Sequence, residues 1–232
     1  MLTPFIMKRI AQLGLLLMMG GSMSACTETM SWKEEVLLHD GSRIIVKRSL
    51  ERGGRHEIGQ RAGATNETLT FTMPGTNQTV IWEDKLSKDI GSSNFNLLML
   101  EINDGVAYIV ASPMGCLSYN KWGRPNPPYV VFKHQDKEWE RITVKDLPTQ
   151  LTIPNLVISS PDDVGDKAVH GVVSAETIIK LNNTASQPQY RTILREPTDR
   201  ADDGCPELVY YKGVWVGPGD SIGKRMMDRK SK

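Results

Sequence analysis

Three cysteines in 232 residues are too few to build a disulfide scaffold, and none belongs to a C-x-x-C pair, which excludes a thioredoxin-type redox centre. No stretch reaches the roughly 20 consecutive apolar residues that a membrane-crossing helix needs. Neither sign of charge dominates, with 28 Lys and Arg against 27 Asp and Glu, so there is no basic face of the kind nucleic acid requires and none is expected to bind. Only four histidines occur. His39, His56, His134 and His170 each stand alone, without a second ligand at zinc-motif spacing, and no metal or cofactor is expected. No serine is framed as G-x-S-x-G, and the carboxylates are spread too evenly to single out an acid/base pair. Residues 217–224 approximate a phosphate loop, but Gly217 lies one residue too far from Gly223-Lys224. Arg225 stands where the magnesium-binding Ser or Thr belongs, so the stretch reads as a turn-rich C-terminal loop.

What is present begins with residues 8–26, KRIAQLGLLLMMGGSMSAC. Lys8 and Arg9 resist translocation, an apolar stretch runs over residues 10–19, and small residues lead to Ser24-Ala25-Cys26. A positive start, a short apolar middle and a small-residue exit make an export signal. The stretch resembles the signal of bacterial lipoproteins, whose lipobox ends in a small residue followed by the lipidated cysteine; Met23 replaces the usual leucine. The resemblance covers residues 1–26 alone. It implies cleavage before Cys26, acyl chains on Cys26, and Thr27 as the second mature residue, a pattern similar to outer-membrane-directed lipoproteins. The mature chain is then expected in the cell envelope of a Gram-negative bacterium, facing the periplasm, with the lipid bilayer as partner through Cys26 and a firm hold from several acyl chains.

Removing residues 1–25 leaves 207 residues, enough for one domain with a real core. In an oxidising compartment Cys116 and Cys205 form an even pair beside turn-forming residues and are candidates for a disulfide; two separately buried thiols are the alternative. The last nine residues carry five basic side chains against Asp228, and the mature body before them counts 21 basic to 26 acidic residues. Residues 26–31 read as a lipidated cysteine and tether, 32–223 as the folded domain, and 224–232 as a basic, disordered tail.

Within the domain, strand-like runs pair about turn signals: residues 34–39 and 43–49 about Asp40-Gly41, 67–73 and 79–83 about Pro74-Gly75, 97–102 and 106–111 about Asn103-Asp104-Gly105, and 129–133 and 139–144 about residues 135–137. The nearly continuous apolar content of 97–111 marks that pair as the central, doubly covered part of a sheet. Residues 151–159, 190–195 and 207–216 read as further strands, 113–128 as a loop, 160–163 as a helix start and 174–183 as a helix capped by Ser174. The fold expected is mainly β, a single antiparallel, sandwich-like domain with one or two short helices. A small or irregular β-propeller is the alternative, since Trp82, Trp139 and Trp215 recur on strands, although without a fixed period.

Two loops are candidate contact sites for a ligand or partner. Arg55, His56 and Glu57 lie in a glycine-rich polar loop. Tyr119, Trp122 and Arg124 offer aromatic faces and a cation in a proline-stiffened one. With no catalytic motif, the expected role is a non-enzymatic binding or envelope-assembly module, with an envelope protein as a possible partner. An envelope hydrolase acting on glycan or peptide, and a purely structural subunit of an envelope complex, are the alternatives. Cys26→Ser is expected to abolish incorporation of a clickable palmitate analogue; a variant that still takes up the label would remove the lipid anchor.

Overall fold

The alternation of apolar and polar residues along the chain is the alternation of a two-layered β structure. The computed structural model describes residues 28–54, 56, 59–158, 171–199, 201 and 204–230. Cys26, Arg55, Glu57, His170 and the helix start at 160–163 lie outside the described residues.

Eleven strands are described: β1 (Glu28–Leu37), β2 (Arg43–Gly53), β3 (Gly63–Thr72), β4 (Thr79–Lys85), β5 (Phe95–Asn103), β6 (Val106–Pro113), β7 (Val130–Gln135), β8 (Glu138–Ile142), β9 (Val172–Val173), β10 (Val209–Tyr211) and β11 (Val214–Val216). They form a sheet of order β4-β3-β2-β1-β9, a second of order β5-β6-β7-β8, and the separate hairpin β10-β11. All neighbours are antiparallel except β9, which joins β1 in parallel. Among the described residues the α-helices are α1 (Gly115–Lys121), α2 (Ala175–Asn182) and α3 (Ser221–Lys230).

The main core lies between the two large sheets. Val36, Val46, Leu69, Phe71, Val80 and Trp82 from the first meet Phe95, Leu97, Leu100, Ile109 and Val130 from the second, which is a sandwich rather than propeller blades about an axis. An aromatic seam closes one side: Phe95 lies 4.6 Å from Trp122 and 5.5 Å from Phe132, and Trp82 lies 5.9 Å from Phe132. The other face of the second sheet is buried as well, with Met99, Tyr108, Val110 and Val131 under Leu147, Leu151 and Ile193. Burial on both faces accounts for the unbroken apolar run. A bulge at Leu98, between the pairs Leu97–Ala111 and Met99–Val110, lets Phe95 and Leu97 share the sandwich face with Leu100 and Ile102.

Several expectations change. The pair 97–111 is doubly covered, yet β5 is an edge strand. Residues 151–158 are irregular chain rather than a strand, and they cover that edge. Asn155 and Leu156 donate to Leu98 O at 3.1 and 3.2 Å, while the Asn155 side chain accepts from Leu100 N at 2.9 Å and donates to Leu100 O at 2.8 Å. One carboxamide thereby supplies the donor and acceptor of a missing neighbouring strand. Residues 190–195 form a turn and irregular chain, because their partner is the covered sheet face rather than a strand. The loop 113–128 contains α1, held by Ser118 Oγ donating to Asn94 O. Residues 28–31 of the tether are already strand, paired with residues 49–52. Helix α3 covers residues 221–230 of the C-terminal stretch read as loop and disordered tail. Helix α2 is as expected, with Ser174 accepting from Thr177 N at 3.3 Å.

Asn155 also donates to Leu37 O at 3.1 Å and to Glu101 Oε1 at 3.2 Å, so it joins both sheets. Asn155→Ala strands these buried groups and is expected to destabilise the domain by about 3 kcal/mol, measured as the shift in urea-unfolding free energy.

Candidate functional site

Charged residues in strands normally face water, yet four of them here follow the apolar parity. Glu34 is in phase with Trp32 and Val36, Arg48 with Val46 and Leu50, Glu67 with Leu69, and Asp84 with Trp82; all four are buried. Arg48 Nη1 donates to Glu34 Oε1 at 2.8 Å and to Val157 O at 2.6 Å, and Nη2 donates to Glu67. Glu34 also accepts from Trp32 Nε1 at 2.6 Å and from Val157 N at 3.1 Å. The Arg48 guanidinium lies 4.9 Å from the centre of the Trp32 ring. Asp84 continues the row opposite Glu67 and accepts from the backbone of Asn94 and Phe95 at 2.5 and 2.9 Å and from Asn94 Nδ2 at 2.7 Å. Burial pushes the carboxyls of Glu67 and Asp84 up, while Arg48 is held charged by Glu34 and Glu67 despite its burial.

A third raised carboxyl, Glu101, is pushed up by burial and accepts from His39 N at 3.1 Å and lies 3.0 Å from His39 Nδ1. These groups bind one another inside the fold. A charge in phase with apolar neighbours on a strand was the sequence signal for the row, visible in Trp32-Lys33-Glu34-Glu35-Val36.

The candidate contact residues are distributed differently. His56 is exposed, with Nδ1 3.1 Å from Gly54 O. Tyr119 is buried, and the Arg124 guanidinium stacks 5.0 Å from the centre of its ring. Arg124 donates to Cys205 O and Pro206 O at 3.1 Å each and to Asn120 Oδ1 at 3.2 Å. Cys116 and Cys205 are joined by a disulfide, so the disulfide and Arg124 together clamp the C-terminal segment to α1. Trp122 turns instead into the aromatic seam and donates from Nε1 to Asn94 Oδ1 at 3.1 Å. Tyr119 and Arg124 are brought together; Trp122 and His56 join neither them nor each other in a common cleft.

The concavity that stands out is a groove of about 870 Å³ between residues 125–129, 141–146 and 195–197. His56 and Arg124 are not in its lining. Its walls are fastened from behind. Asn126 Nδ2 donates to Thr198 O at 2.9 Å, and Thr198 N donates back to Asn126 Oδ1 at 2.7 Å. Arg195 donates to four carbonyls, those of Val144, Leu147, Pro148 and Leu151, at 2.7 to 3.0 Å. Tyr129 Oη donates toward Gln189 O at 3.0 Å, and burial pushes its hydroxyl up to about 12. Asp146 is tied to Thr143, whose hydroxyl donates to it at 2.6 Å and holds its carboxyl below the ordinary range. Such an acid stays ionised and is a poor proton donor. Lys145 and Glu196 are exposed and make no ion pair or hydrogen bond among the described residues. Pro125, Pro127, Ile142, Val144 and Pro197 supply the apolar lining. The arrangement suits binding of an extended segment with some charge more than acid/base chemistry.

Among the described residues no three His, Cys, Asp or Glu side chains gather as a metal site, and no helix is long and apolar enough to cross a membrane. Neither a protein family, nor a curated protein, nor a solved structure matches this chain.

The raised carboxyls set a pH dependence. Glu67, Asp84 and Glu101 bind protons more tightly folded than unfolded. Their stabilising contribution is complete below their ordinary values, near 4.5 for the two glutamates, and declines as pH rises through the higher folded values. The urea midpoint is expected to be higher at mildly acidic pH than at alkaline pH. Glu67→Gln, which keeps an oxygen toward Arg48, is expected to narrow that difference.

Proposed function

We propose that the chain is a lipid-anchored, periplasm-facing binding module of the cell envelope that receives an extended segment of a partner in the groove beside β8. The observation that carries this reading is a groove with fastened walls and an apolar, proline-rich lining whose Lys145 and Glu196 are left without partners among the described residues. A site with fixed walls loses little conformational entropy on binding, and charges at its rim orient a segment without large desolvation. The raised carboxyls lie in the sandwich interior, bonded to Arg48, His39 and backbone amides, rather than in the groove, which favours binding over hydrolysis.

The anchor reading is supported by the order of residues 8–26. Thr27 alone separates Cys26 from β1, a reach of about 7 Å, so an acylated chain would hold the body close to the headgroups. The groove is tested with a photo-crosslinking amino acid in place of Lys145, and for comparison in place of Lys47 on the open outer face of the first sheet. Expected is a discrete adduct in living envelopes from position 145 and none from position 47. Identical patterns from the two positions, or no adduct from either, would remove the groove as the binding site.

A further inference from the structure

The chain enters and leaves the sandwich at the same end. β1 begins at Glu28 opposite Arg52, and Arg52 in turn faces Ala64 at the start of β3. Ser93 N donates to Ala64 O at 2.7 Å, which brings the connection from β4 to β5 to this end. In that connection Asp89 pairs with Lys121 of α1 at 2.9 Å, and its carbonyl accepts from Trp215 Nε1 of β11 at 2.7 Å. Helix α3 follows directly. Its start is capped by Asp220, whose Oδ1 accepts from Gly223 N at 2.7 Å. Its far end is tied back by Asp228, which accepts from Tyr211 Oη at 2.8 Å and Lys212 Nζ at 2.6 Å.

These ties leave one side of α3 open. Ile222 is 71% and Met226 55% exposed, and their four-residue spacing puts them on one helix face. Arg225 is exposed between them. By sequence, α3 and the two residues after it contain Lys224, Arg225, Arg229, Lys230 and Lys232 against Asp228 alone; Lys224 Nζ donates to Pro218 O at 2.7 Å, and the Asp228 carboxylate already faces Lys212. Exposed apolar side chains on a short, strongly basic helix of low overall hydrophobicity are the features of a helix lying in a lipid interface. A helix that docks in a protein groove instead presents a longer row of apolar anchors at i, i+3, i+4 and i+7.

We propose that α3 is an interfacial helix that rests on an anionic phospholipid surface, with Ile222 and Met226 entering the headgroup layer and Arg225 facing lipid phosphates. Each Lys or Arg near such a surface strengthens binding by roughly fivefold. The helix lies at the end of the sandwich from which the chain runs toward Cys26, so both contacts orient the body the same way. That orientation rests on the proposed anchor, whereas the affinity of α3 does not.

The test is amide hydrogen exchange of the full chain on two kinds of vesicle, phosphatidylcholine alone and equal parts of phosphatidylcholine and phosphatidylglycerol. Expected is exchange across residues 221–230 slower by about tenfold on the anionic vesicles, a difference lost at about 1 M salt and reduced roughly fivefold or more by Arg225→Glu. Equal exchange on both lipids would overturn the proposal. So would protection without lipid that grows with protein concentration, which would assign the face to a second copy of the chain. The mass of the N-terminal peptide in the same samples reports acylation separately. Acylated chain without protection of α3 defeats this inference alone, and unacylated chain with protection defeats the anchor alone.

Discussion

An irregular segment buried inside a protein has to find a partner for its peptide groups, since water is not there to serve. Residues 144–158 face this constraint where they are buried, at Leu147, Leu151 and residues 154–157, and much of the interior is arranged to meet it. Arg195 takes the carbonyls of Val144, Leu147, Pro148 and Leu151. Asn182 of α2 donates to Pro154 O and Leu156 O, and the Glu34–Arg48 pair receives the amide and the carbonyl of Val157. In return the segment seals the edge of β5 through Asn155 and fills the far face of the second sheet with Leu147 and Leu151. A regular strand in this position would have paired its backbone with β5; the irregular one depends on side chains from four other parts of the chain.

That dependence explains why so many charges lie inside. A buried ion pair contributes little net stability, because desolvation offsets most of the attraction, but breaking one costs several kcal/mol. The Glu34–Arg48 pair ties Val157 of the covering segment to the first sheet, and Glu67 holds the other side of the guanidinium. Such groups resemble an active site in their burial and raised carboxyls, but their geometry is that of mutual satisfaction. The chemistry left exposed is therefore at the surface: in the groove beside β8, and along the open side of α3.

The hairpins were legible because each turn carries its own chemistry. Asp40-Gly41 and Asp104-Gly105 put glycine at φ of 85° and 75°, where other residues are strained. The disulfide was legible as a pairing of the two cysteines left after Cys26, and α2 from its Ser174 cap. Less was visible where one residue's role depends on another far along the chain. Residues 151–158 have strand-like composition, yet Asn155 and Val157 bond side chains and edge groups rather than a neighbouring strand. Tyr119, Trp122 and Arg124 have the composition of a binding surface, yet stacking, the aromatic seam and the clamp on residues 205–206 occupy them. The groove draws on three segments that no local pattern connects.

Local order in the amino acids was enough to point to a mainly β, sandwich-like domain with its turns and to offer Cys116 and Cys205 as a pair, because periodicity, turn propensity and short-range capping act over a few residues. Tertiary packing alone decided that Glu34, Arg48 and Glu67 face inward together, that β5 is an edge closed by a carboxamide, and that residues 221–230 form a helix at the end of the sandwich where β1 begins. Those outcomes depend on contacts between residues dozens of positions apart, whose free energy appears only once both sheets are in place.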